Sequence, residues 1–222
     1  MIRLPRRTTG LLRGSPISLS ASVRSRTTLA SSSSQLYFEQ KDSAMSSPGD
    51  LTPAERTILD SAIPANWIYQ GQMAVLWQDA TARPVIQKMW DQEKRHLIVM
   101  NALQEQHRVR PSVMLEVAKV VGWGLGAVTA LMGREAAMAC TEAVETAIGE
   151  HYDDQLRDLE SLNSSHPSIP VLKDLIRELR DEELEHLDTA VLHNSQRAPA
   201  HALLSAVIGA GCTVAIRICK RI

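Results

Sequence analysis

Glu93-Lys-Arg-His96-Leu97 and Glu183-Leu-Glu-His186-Leu187 repeat one short pattern at two places 90 residues apart. Residues three apart on a helix share a face, so each copy can aim a carboxylate and an imidazole at one point. Carboxylate oxygen together with imidazole nitrogen suits iron and manganese, whereas calcium prefers oxygen alone. A single Glu-x-x-His carries little weight, because the spacing arises by chance in many helices. Two copies, each inside a long helical pattern, point to a shared metal.

The helices that must carry these residues are legible as apolar stripes. One opens at Pro84 and runs Ile86, Met89, Trp90, then Leu97, Met100 and Leu103, with Glu93 and His96 in the two slots where hydrophobes are due. Another runs from Ile169 through Leu172, Leu175, Ile176 and Leu179 into Glu183, His186 and Ala190. Met138, Thr141, Ile148, Tyr152, Leu156 and Leu159 mark a third, and Glu145 lies on it. A carboxylate facing a bundle core is costly unless it is paired or metal-bound. The competing arrangement, with the helices rotated and these groups solvated as Glu–His pairs, must hold on three helices at once. Arg177, Glu178, Arg180 and Asp181 fall on outward faces and read as solvated surface. Bundles that house two irons take one Glu from each of two helices and a Glu-x-x-His from each of the other two. Glu145 with Glu183/His186 completes one such half; Glu93/His96 begins the other.

Composition agrees with an all-α chain. Apolar residues make up 44% of the 222, with one Phe and three Tyr, and strand-like alternation is missing over any useful length. Cys140, Cys212 and Cys219 show neither C-x-x-C nor zinc spacing, which implies reduced, packed thiols. Residues 1–38 carry Arg3, Arg6, Arg7, Arg13, Arg24 and Arg26 among Ser and Thr, and the first acidic residue is Glu39. That is the composition of a mitochondrial transit peptide. Without it, six of the 24 basic groups are lost, leaving 18 against 25 acidic ones, a formal balance of −7. Such a domain offers no basis for nucleic-acid binding. Residues 39–52, with Ser46, Ser47, Pro48 and Gly49, read as a flexible linker, and 53–222 as the folded domain.

Two apolar segments stand apart from the metal pattern. Val120 to Met132 is free of charge, and Ala198 to Ile216 is interrupted by Pro199 and His201 and followed by Arg217, Lys220 and Arg221. Both fall short of the roughly 20 apolar residues of a spanning helix and suit amphipathic, membrane-facing helices instead. Tyr152 lies two turns after Glu145 and so faces the same cavity, as a proton or electron relay, a quinol contact or a core tyrosine. Its neighbour His151 is turned about 100° away and is at most a substrate contact.

The chain resembles the demethoxyubiquinone hydroxylases of ubiquinone biosynthesis, the Coq7/Clk-1 type, over about residues 66 to 222. The resemblance rests on Asn66-Trp-Ile-Tyr-Gln-Gly-Gln-Met-Ala-Val-Leu76, Pro84-Val-Ile-Gln-Lys-Met-Trp-Asp-Gln-Glu-Lys94 and Gly133-Arg-Glu-Ala-Ala-Met-Ala-Cys-Thr141. Arg180-Asp-Glu-Glu-Leu-Glu-His186 and Gly209-Ala-Gly-Cys212 complete it. It implies a ferritin-like di-iron bundle that hydroxylates a polyprenyl methoxy-benzoquinol with O2, using two non-haem irons and reducing equivalents from NADH. It further implies a peripheral place on the matrix side of the mitochondrial inner membrane, a lipid-binding partner that delivers the substrate, and a larger ubiquinone-synthesis complex. The family's iron ligands map onto Glu93, His96, Glu145, Glu183 and His186. Glu145 and either Glu93 or Glu183 are expected to bridge, with one terminal histidine per iron.

One departure from the family is compact. A stretch resembling Arg-Val-Asp-x-Ala-Gly-Glu, whose Glu is the sixth ligand, should precede Asn66. Here Leu59-Asp-Ser-Ala-Ile-Pro-Ala65 stands instead, with Ala62 at the Glu position. The first helix is expected to start near Pro64, which leaves Asp60 and Glu55 upstream of it. The loss leaves two other readings: a non-catalytic isoform or structural component of the biosynthetic complex, and ferritin-like iron oxidation or storage.

Overall fold

In the computed structural model, residues 65–106, 108, 114–162 and 168–219 are described. The expected transit peptide, the linker, and Glu55, Asp60, Ala62 and Pro64 all lie outside them. Among the described residues the chain is helical, with no strand: α1 Asn66–Leu76, α2 Ala82–Gln106, α3 Met114–Leu131, α4 Arg134–Ser161, α5 Ser168–Leu192, a 3-10 turn Ser195–Arg197, and α6 His201–Cys219.

Local chemistry sets the ends of these elements. Asp79 caps α2: its Oδ1 accepts from the backbone N–H groups of Thr81 and Ala82, each at 2.8 Å, so two donors orphaned at the helix start are satisfied. Pro84 therefore sits inside the first turn rather than opening the helix, where its missing N–H costs nothing. Gly133, at φ +120, turns the chain from α3 into α4 through a conformation that L side chains rarely adopt.

The core lies among α1, α2, α4 and α5. Ile86, Met89 and Leu103 from α2 meet Met138 and Leu159 of α4, together with Ile176 and Leu179 of α5, all essentially buried. Each such side chain contributes about 1.5–3 kcal/mol of hydrophobic stabilisation. The expected stripes hold, with Leu97 and Trp90 partly buried at their margins. Arg180 departs from its solvated-surface reading. It is partly buried, and its guanidinium donates to Asp153 at 2.7 Å, tying α5 to α4.

The remaining helices pack outside that core, α3 against α1 and α6 against α4. At the first contact the backbones nearly touch. A Cβ on Gly126 would stand 2.0 Å from the Ile68 carbonyl oxygen, and one on Gly71 would stand 2.1 Å from that of Trp123. Only glycine permits so close an approach. On the side away from α1, α3 exposes Val117, Val120, Val121, Val128 and Leu131; α6 exposes Leu203, Val207 and Val214. α6 is 19 residues long with a mean hydropathy of 1.9 and is 11% buried, long and apolar enough to cross a bilayer by length and composition. The sequence pattern understated it, because helix continues past Ile216 to Cys219.

Candidate metal centre

Three helices supply the carboxylates and imidazoles of the centre. Glu93 and His96 project from α2, Glu145 from α4, and Glu183 and His186 from α5, all buried. Glu93, Glu145, Glu183 and His186 each offer a ligand atom within 4.8 Å of the others'. His96 adjoins this group, its Nδ1 3.3 Å from Glu93 Oε1 and 3.2 Å from Glu183 Oε1. His186 Nδ1 lies 3.1 Å from Glu183 Oε2 and 3.7 Å from both Glu93 Oε1 and Glu145 Oε1. Glu183 therefore stands between the two imidazoles, one oxygen toward each. The rings lie 6.3 Å apart.

The outer nitrogens of the two histidines are held differently. His96 Nε2–H donates to Glu182 Oε2 at 2.5 Å, and His186 Nε2–H donates to Gln92 Oε1 at 3.2 Å. Both rings thus turn Nδ1 inward. Neither Glu182 nor Gln92 was singled out by its sequence, because each sits next to a ligand and a helix turn of about 100° normally separates neighbours.

α1 contributes a phenol where the two-iron recipe calls for a carboxylate. The helix contains no Asp or Glu, and the fully buried Tyr69 donates from Oη to Glu145 Oε1 at 2.5 Å. Its ring meets His186 edge-on at 5.9 Å. Sequence reasoning missed Tyr69. The available signal was weak: Asn66, Tyr69 and Gln72 share one face of α1, but Gln70 puts a polar side chain on another. Asn66 accepts from Trp90 Nε1 at 2.9 Å, and Gln72 donates to the Ala137 carbonyl at 3.0 Å, so the same face binds α1 to α2 and α4.

The electrostatics describe a site short of positive charge. Burial, and then the neighbouring Glu183, raise the Glu93 carboxyl above its ordinary value. Burial opposes a proton on His186, yet Glu145 and Glu183 outweigh it and carry the group up to about 10. Burial likewise opposes protonation of His96, and Glu93, Glu182 and Glu183 override it. Without a cation, protons have to supply the compensation. Glu145 Oε2 is also buried without a hydrogen-bond partner, and Glu93 Oε1 and His96 Nδ1, though 3.3 Å apart, make no well-aligned hydrogen bond; such unsatisfied groups are costly. Metal cations answer both deficits, so the donor set fits a carboxylate–imidazole metal site.

Tyr152 is buried too. Burial, and then the carboxylates Glu183, Glu93, Glu145 and Glu182, raise its phenol well above the ordinary value, so the hydroxyl keeps its proton. His151 is equally buried and stacks on Tyr152 with ring centroids 6.4 Å apart. His151, expected to turn about 100° away from Tyr152 as at most a substrate contact, is thus buried beside it. The long α4 is enclosed on both flanks, by α5 and by α6.

Comparison with known proteins bears on what such a site does. The family described as "Ubiquinone biosynthesis protein COQ7" matches residues 62–219. The chain is 50% identical over 157 residues to the "NADPH-dependent 3-demethoxyubiquinone 3-hydroxylase, mitochondrial" of Mus musculus, covering 71% of each chain. It is 40% identical over 191 residues to the "5-demethoxyubiquinone hydroxylase, mitochondrial" of Saccharomyces cerevisiae, covering 78% of this chain and 82% of the yeast protein. To the "3-demethoxyubiquinol 3-hydroxylase" of Rhodospirillum rubrum it is 38% identical over 183 residues, covering 79% and 82%.

Proposed function

This chain belongs to the ubiquinone biosynthesis protein COQ7 family, and from that premise we propose that its buried carboxylate–imidazole cluster holds two irons for ring hydroxylation. It is a mitochondrial hydroxylase of ubiquinone biosynthesis, acting on a demethoxyubiquinone-type ring. One observation carries the metal reading. Three carboxylates and two inward-turned imidazoles share a buried core in which three of their atoms lack a well-aligned hydrogen bond.

When bound, ferrous ions supply the activation of O2 and the electrons that the hydroxylation needs. The protein's own residues do the rest. Glu183, with an oxygen facing each histidine, is the side chain best placed to serve both metal positions, and His96 and His186 serve one each. Glu145, expected to bridge, leans toward His186 and is held there by Tyr69. Tyr152 keeps a phenolic proton beside the cluster and is the candidate relay between the centre and the ring, with His151 stacked behind it. The surrounding apolar side chains exclude water, which strengthens every electrostatic contact inside.

The exposed apolar faces of α3 and α6 support a place at the matrix side of the inner membrane, where the polyprenyl tail stays in lipid while the ring enters the bundle. A lipid-binding partner and a larger synthesis complex fit the same surfaces. A reduced nicotinamide is the reductant. The sequence-based expectation is NADH, and the name of the mouse relative specifies NADPH.

The test is an assay of the purified full chain, loaded with iron and given a short-chain demethoxyquinol, O2 and NADH or NADPH. A product heavier by one oxygen, with near two irons per chain, is the expected result. Bound iron without hydroxylated product overturns the catalytic reading and leaves a structural component. Iron near one or zero per chain overturns the two-iron reading.

A further inference from the structure

The two histidines are treated alike on the inside and unlike on the outside. Each turns Nδ1 toward the cluster and gives Nε2–H away, but His96 gives it to a carboxylate and His186 to a carboxamide. The surroundings differ in the same sense. Glu182 and His96 form part of the wall of a cleft of about 130 Å³ between α2 and α5, flanked by Arg95 and Glu178. Gln92 lies buried in the bundle.

An imidazole whose outer N–H is held by a carboxylate is a more basic ligand than one held by a neutral acceptor, and its ring is fixed in tautomer and orientation. The acceptor behind each ring therefore sets how strongly the inner nitrogen binds. We propose that Glu182 and Gln92 are positioning residues that make the two metal positions unequal. Glu182 raises the affinity of the His96 position, and Gln92 orients His186 without adding charge. This inference rests on the two-metal reading above and deepens it. Charge separates the two outer partners as well: Glu182 stands as a carboxylate behind His96, whereas Gln92 behind His186 is neutral and the carboxylate of Glu145 meets that ring from the inner side.

Isosteric exchange tests the assignment without changing the size of either side chain. The full chain, stripped of metal, is titrated with Co(II) and followed by its visible ligand-field absorption, in the wild type and in Glu182→Gln and Gln92→Glu. Two resolved binding steps are expected in the wild type. Glu182→Gln weakens one step by 10- to 100-fold, the usual loss when such an outer partner is removed. The other step is left within about twofold, and the absorption of one site alone shifts. Gln92→Glu tightens the step that Glu182→Gln leaves unchanged. Thermal unfolding of the metal-free variants separates positioning from a structural role. Glu182→Gln that lowers the metal-free midpoint and weakens both steps equally overturns the proposal. So does retention of both steps at wild-type affinity. Fewer than two Co(II) bound by the wild type overturns the two-metal reading and this assignment together, whereas two bound with unaffected variants overturns the assignment alone.

Discussion

Replacing Tyr69 by phenylalanine removes one oxygen from the metal centre and keeps the ring that packs edge-on against His186. The lost hydroxyl is the donor to Glu145 Oε1, whose Oε2 already lacks a partner. The substitution thus leaves a buried carboxylate with no donor from α1. A buried hydrogen bond to a charged group contributes about 1.5–3 kcal/mol, and the void left by one oxygen adds little. For a domain of this size about 1 kcal/mol moves the unfolding midpoint by roughly 2–4 °C. A loss of about 2 kcal/mol in Tyr69→Phe therefore lowers the metal-free midpoint by roughly 4–8 °C. Metal changes the comparison, because a cation then meets the charge of Glu145 and the phenol's share shrinks. The drop in metal-loaded protein should be less than about half that in metal-free protein, with circular dichroism at 222 nm as the readout. An equal drop in both states would show that Tyr69 acts as ordinary core, and no drop in the metal-free state would refute the hydrogen-bond argument outright.

Metal-free protein should lose stability as pH rises. The folded-state value of His186, about 10, lies above its ordinary 6.5, so its contribution is complete below about 6.5 and is lost progressively toward 10. The raised Glu93 works in the same direction. Thermal scans from pH 6.5 to 10 should show a falling midpoint, shallower once metal holds the imidazoles neutral; a flat metal-free profile contradicts the assignment. Gly126→Ala forces α1 and α3 apart against a contact of 2.0 Å. Its overpacking cost of about 1–3 kcal/mol is only partly offset by better helix propensity, about 1 kcal/mol, so a lower denaturation midpoint is expected in urea. Val120→Asp with Val121→Asp alters side chains that are exposed on α3. The pair should reduce co-sedimentation with vesicles of inner-membrane composition several-fold while leaving the helical content unchanged, and unaltered binding removes α3 from the membrane surface.

The chain of residues from Glu93 to His186 was readable because a polar group in an apolar stripe breaks a period, and a broken period needs no coordinates to detect. All five fall together in the bundle for that reason. Tyr69 was missed because a tyrosine does not break an apolar stripe: it reads as core, and only the approach of α1 to α4 turns its hydroxyl toward Glu145. Glu182 and Gln92 stayed hidden for a related reason. They flank the ligands in sequence, and which flanking residue reaches across depends on helix rotation that periodicity fixes only coarsely. Arg180 reads as solvated until α4 brings Asp153 beside it. Gly126 of α3 and Gly71 of α1 looked like parts of apolar segments, and the structure gives both a packing reason.

That packing reason bears on how the enzyme's outside speaks to its inside. Where Gly126 meets Ile68 and Gly71 meets Trp123, peptide lies against peptide with no side chain between to absorb a displacement. α3 carries the exposed valines along its length, and α1 carries the phenol that donates to Glu145. The glycine seam thus joins, backbone to backbone, the helix with the apolar outer surface to the helix that reaches the candidate metal centre, and a side chain added at either glycine would part them.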